Sequence, residues 1–140
     1  MRGKVDMDMQ AERIKGILGK DCKRTAPNTL RFLKFLQRNV KAHCLLTGTE
    51  EFEWERDFLA GGWGGAEYEK MKVERSSFVD QFELEALIAP DADGQDIVAR
   101  VKRLTDQKDF KIGLSLLEGL DFNDESFQFI DDYVAWFKHY

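Results

Sequence analysis

Acidic side chains stand at every second position in Glu51, Glu53, Glu55 and Asp57, interleaved with Phe52, Trp54 and Phe58, and Gly61-Gly62-Trp63-Gly64-Gly65 follows almost at once. Carboxylates are the hard oxygen donors that a cation needs, and large rings are the usual anchors of a protein partner. The residues placed on this candidate binding surface are therefore Glu51, Glu53, Trp54, Glu55, Asp57 and Trp63. Their geometry depends on the local period. On a strand the acids form one row able to hold a cation. On a helix capped by Thr49 and closed by Gly61, with Glu50 and Glu51 near the positive end of the dipole, they spread around the cylinder. Capping signals at both ends favour the helix. The glycine cluster suits a binding loop that presents Trp63, or a plain connector; it lacks the Lys-Ser/Thr ending of a phosphate loop.

A second carboxylate group, Asp91-Ala92-Asp93-Gly94-Gln95-Asp96, is similar to the crowded start of a calcium loop, which makes Asp91, Asp93 and Asp96 the candidate metal ligands. The twelfth position from Asp91 is Lys102, where an EF-hand needs a bidentate glutamate. A hairpin turn that uses Asp and Gly for their backbone tolerance explains the same letters.

For nucleophilic chemistry the chain offers Cys22 and Cys44, with His43 and His139 as bases. Adjacent residues of a strand face opposite sides, so His43 is poorly placed to activate Cys44. Two cysteines and two histidines make a zinc set in number, but no ligand spacing supports it. The neighbouring acids Asp131-Asp132 and Asp124-Glu125 are formal acid-base pairs whose separation sequence does not give.

These residues sit in a chain of 140, a length that fits one domain, 1–140, with room for a real core. Its formal charge of -5 repels a phosphate backbone and favours cations or basic proteins over nucleic acid. No long apolar run points to a membrane span, and the charged N-terminus has no apolar signal core behind it. Two widely separated cysteines fit reduced thiols, so the expected location is the cytoplasm.

Spacing predicts a helix over about Asp8 to Lys20, and a second after Pro27, capped by Asn28 or Thr29, with Leu30, Leu33, Phe35, Leu36 and Val40 as its apolar stripe. From Lys41 the period becomes two and predicts a strand ending at Gly48. Phe82, Leu84, Ala86 and Ile88 oppose Glu83 and Glu85 in a further strand, which turns at Pro90 to Gly94 into Ile97, Ala99 and Val101. The turn at Thr105 to Asp109 leads to a third strand of the same meander through Phe110, Ile112 and Leu114. Beyond Ser126, two aromatic stripes predict a closing helix packed into the core.

Phe32-Leu33-Lys34-Phe35-Leu36 with Val40-Lys41-Ala42-His43-Cys44, and Phe110-Lys111-Ile112-Gly113-Leu114 with Leu117-Glu118 and Asp132-Tyr133-Val134-Ala135-Trp136, cover about a third of the chain. They resemble the aromatic helix, Ala-x-Cys strand, last barrel strand, Leu-Glu turn and closing helix of small bacterial calcium-binding proteins with an SH3-like barrel. Arg38-Asn39 replaces that family's aromatic-proline pair, and positions 47 to 80 have no counterpart. The resemblance implies the barrel and a calcium ion met by acidic surface, with no fixed ligand motif to carry over.

The expectation is an α+β domain with N-terminal helices, a small antiparallel curled sheet or open SH3-like barrel, and a C-terminal aromatic helix. Its function is that of a non-enzymatic binding module for calcium or a basic protein partner. The alternatives are a hydrolase using Cys44 or a carboxylate pair, and an immunity-like inhibitor.

Overall fold

Two helices open the chain, α1 at Lys4–Leu18 and α2 at Ala26–Asn39. The cap of α2 is Thr25, whose Oγ1 accepts from the amide of Asn28 at 3.3 Å, and Pro27 falls in the first turn, where its missing N–H costs nothing. Asn28 and Thr29 are buried instead, and the Asn28 amide donates to the carbonyls of Asp21 and Lys23. The predicted stripe holds for Leu33 and Leu36, while Leu30 points to solvent. The computed structural model describes residues 4–60 and 65–140, with side chains from Asp8 onward except at 57, 59 and 60.

Strand β1 is Leu45–Gly48, shorter than its alternation suggests. His43 adopts φ of 66°, which is incompatible with an extended strand, so the ladder starts after it. Two short helices follow, α3 at Glu53–Ala60 and α4 at Ala66–Glu74. The latter has no buried residue and no apolar stripe, so periodicity does not reveal it. Strands β2 (Gln81–Ile88), β3 (Val98–Arg103) and β4 (Asp109–Gly113) form the predicted meander. A 3-10 turn at Leu114–Leu116 leads into β5, Leu117–Gly119, and α5 closes the chain at Glu125–His139.

The five strands form one antiparallel sheet in the order β4-β3-β2-β1-β5, with β4 and β5 as its edges. The sheet does not close on itself, so the fold is the expected α+β class with an open antiparallel sheet, and β4 and β5 do not pair to make a barrel. Gly48 sits where a Cβ would lie 2.6 Å from the Cα of Phe78, which lets β1 run against that segment. The β2 to β3 register slips between Leu84 and Ala86. This bulge shifts the inward set from the expected Phe82, Leu84, Ala86, Ile88 to Phe82, Leu84 and Leu87.

The core lies between the inner face of the sheet and the helices α1, α2 and α5. Phe32 of α2 packs on Tyr133 and Trp136 of α5, each at 5.3 Å between ring centres, and all three are fully buried. Each such pair contributes roughly 0.5–1.5 kcal/mol beyond its area burial. The indole of Trp136 also donates to the carbonyl of Cys22 at 2.7 Å, tying α5 to the link between α1 and α2.

Candidate functional site

The acidic and aromatic segment is a helix from Glu53, and that period disperses its acids. Two residues along a helix turn the chain by about 200°, so Glu53 and Glu55 project to nearly opposite sides. Glu51 and Glu53 are exposed, whereas Glu55 is fully buried. Thr49 does not cap this helix: its hydroxyl donates to the carbonyl of Leu116 at 3.4 Å. The helix is closed at its start by Glu55 itself, whose Oε1 reaches back to the amide of Phe52 at 3.3 Å, as the glutamate of a capping box does.

Oε1 of Glu55 also accepts from the amide of Phe78 at 2.8 Å, while Oε2 accepts from the hydroxyls of Tyr68 at 2.6 Å and Ser77 at 2.7 Å. A buried carboxylate with four donors is a structural lock that joins α3, α4 and the entry to β2. It has no lone pair left over for a cation. Tyr68 is correspondingly resistant to ionisation, pushed up to about 12 by burial and then by its bond to Glu55.

Trp54 is half-buried between these helices, with Phe58 and Tyr68 at 5.9 and 5.7 Å, Arg75 over its ring at 5.8 Å, and its indole donating to the carbonyl of Ser76 at 2.8 Å. It is a packing residue at the margin of the core. An open cleft of about 510 Å³ lies beside it, and Arg75 and Lys111 both line that cleft, against the single acid Glu53. The charge there does not suit a cation. Asp57 belongs to α3 with its side chain outside the described set, and Trp63 with Gly61 to Gly64 lies outside the described residues.

The 91 to 96 segment is a hairpin turn, with Gly94 at φ of 81°. Asp91 and Asp93 are exposed, but Asp96 is consumed by the fold. Its Oδ2 accepts from the Ser115 amide at 2.9 Å and hydroxyl at 2.6 Å, and its Oδ1 from the hydroxyl of Tyr133 at 2.6 Å. A Cβ at Gly113 would lie 2.5 Å from Asp96 Oδ2, so glycine leaves the space that this carboxylate fills. The three aspartates are not one donor set. Among the described residues, no group of three or more His, Cys, Asp or Glu side chains is arranged to hold a metal ion. A built calcium cage does not fit what is present.

Cys44 is half-buried, and burial, followed by the nearby charge of Asp124, pushes its thiol from 9.0 up to about 11. It therefore stays protonated near neutrality. His43 turns away to Glu83, with Nδ1 to Oε1 at 2.8 Å. The Asp131-Asp132 pair is a helix clamp: buried Asp132 accepts from Arg13 Nε at 2.8 Å, Arg13 Nη2 at 3.0 Å and Gln10 Nε2 at 2.8 Å, joining α5 to α1.

Sequence reasoning missed Arg103, which stands with Arg100 and Lys102 in a basic run on β3. It is 2% exposed, and its guanidinium donates to the carbonyls of Lys72, Val73 and Arg75 at the end of α4 and to Asp80 and Asp106. The signal was available, because Arg103 continues the inward phase of Ile97, Ala99 and Val101. Among the described residues, no helix is long and apolar enough to cross a membrane.

No protein family model matches the chain, and no curated protein matches it. Solved structures do. The crystal structure of Anabaena CcbP superposes with a TM-score of 0.59 at 14% identity, covering 97% of this chain and 91% of that one. A calcium-binding protein in its calcium-binding form superposes with a TM-score of 0.58 at 13% identity, covering 98% and 96%. At such identities the likeness establishes a shared fold over nearly the whole chain.

Proposed function

We propose that this chain is a non-enzymatic binding protein whose cation is calcium, taken by carboxylates spread over its surface. The observation that carries this reading is the fold shared along 98% of the chain with a calcium-binding protein in its calcium-binding form. The net charge of -5 and the exposed acids Glu51, Glu53, Asp91 and Asp93 supply oxygen donors. Glu55 and Asp96 are not among them, since their oxygens already accept internal bonds. The non-enzymatic part is supported by the neutral, half-buried Cys44 thiol and by the structural employment of Asp132.

Sites of this kind bind weakly, in the range of about 10⁻⁴–10⁻³ M that extracellular calcium modules also occupy. Titration followed by calorimetry and thermal unfolding tests the reading, with magnesium as the control. Calcium at millimolar concentration raises the midpoint more than magnesium does, because a ligand that binds the native state stabilises it by mass action. Equal responses to the two ions, or none, would overturn the proposal.

A further inference from the structure

Phe122 is 81% exposed, more than any other large apolar side chain among the described residues. It is nevertheless held in place, with its ring at 4.6 Å from that of Phe127 on α5. Phe127 in turn lines a small hollow together with Leu45, which is 43% exposed on the outer face of β1. Leu120 donates its amide to the Leu45 carbonyl at 3.1 Å, which sets the turn that carries Phe122 beside the start of β1, so Leu45, Phe127 and Phe122 gather at one corner of the fold. Exposed apolar side chains gathered at one corner mark an interaction site more often than scattered single residues do.

Acids stand around this corner, Asp121 and Asp124 lining the hollow itself. Glu118, Asp121 and Glu125 are exposed around it, Asp124 is half-buried at the start of α5, and Glu83 lies opposite Leu45 on β2. Two of these are fixed by the backbone: Asp121 Oδ1 accepts from the Asn123 amide at 3.0 Å and Asp124 Oδ1 from the Ser126 amide at 2.8 Å. Against them stand Lys41, whose amide is bonded to Ser126 Oγ, and the imidazole of His43, paired with Glu83. The corner is therefore negative and prearranged around two rings.

We propose that the corner formed by β1, β5, the 120–124 turn and the start of α5 docks a cationic segment of another protein that carries an apolar side chain. The ring pair supplies the buried anchor, and the acids select a positive partner and speed its approach. The neighbouring edge strand β5 has only three residues, too few to recruit a partner by strand addition, so recognition falls to side chains. A second copy of this chain meeting the same face would set acids against acids, which charge complementarity disfavours.

The test uses the intact protein, a chelator to remove calcium, and a fluorescein-labelled peptide of lysines around a central leucine, followed by anisotropy. The inference expects saturable binding that weakens with added salt, loss of about tenfold or more in affinity for Phe122→Ser, and a further loss for Glu118→Gln with Asp121→Asn. All three substitutions are at exposed positions, and unchanged circular dichroism shows that the variants fold. Binding that Phe122→Ser leaves unchanged would overturn the proposal, as would equal binding of a glutamate-leucine peptide or no anisotropy change at millimolar peptide. A concentration-dependent dimer in sedimentation, abolished by Phe122→Ser, would also overturn it by assigning the face to a second copy. Because calcium is absent throughout, the outcome is independent of the calcium reading.

Discussion

Glu55 shows how little a residue's type says about its task. In the sequence it is one of four alternating acids; in the folded chain its carboxylate closes one helix and holds another through a tyrosine hydroxyl. Removing it leaves several buried donors without partners, each costing about 1–3 kcal/mol. Glu55→Ala is expected to destabilise the protein by at least about 3 kcal/mol in urea unfolding, while Glu53→Ala changes the midpoint little. Similar losses for the two variants would show that the lock is unimportant. Alkaline behaviour belongs here too. An acid whose pKa is raised on folding keeps its proton longer in the native state, so its contribution is complete below the unfolded value and lost as pH climbs to the folded one. For Cys44 that window runs from 9.0 to about 11, and for Tyr68 from 10.0 to about 12. Urea midpoints should therefore fall from about pH 9 upward, and Cys44→Ala should flatten the first part of the fall.

The secondary elements differ in what holds them. α5 is embedded by Ile130, Tyr133 and Trp136, each with no exposed surface. By contrast α4 buries no residue and is fastened by polar contacts, Tyr68 to Glu55 at one end and the Arg103 guanidinium on the last carbonyls at the other. Such an element opens locally at less cost than the core. Hydrogen exchange should find α4 less protected than α5. Arg103→Met is expected to release α4 further and to cost about 3 kcal/mol, as breaking a buried ion pair does; protection in α4 that survives this change would argue against the fastening. The periodic elements were legible: α2, the β2 to β4 meander and α5 all follow from apolar spacing and turn residues. The helix α4 was not, because nothing about it repeats at a helical interval. Neither was the inward face beyond Leu84, because a bulge moves every later side chain by one position.

At the level of the whole protein, the open sheet with α1, α2 and α5 on its inner face leaves its outer side and the corner near Phe122 to solvent. Calcium titration and the lysine-leucine peptide address these surfaces separately, which lets either reading fail alone. The sequence by itself determined the class, the meander, the closing aromatic helix and the acidic balance, since each rests on local period, turn chemistry or composition. Only the tertiary structure decided which carboxylates remain available. Glu55, Asp96 and Asp132 meet their donors across 23, 37 and 122 positions, at Phe78, Tyr133 and Gln10. A carboxylate's partners come from wherever the chain returns in space, and no local pattern encodes that distance.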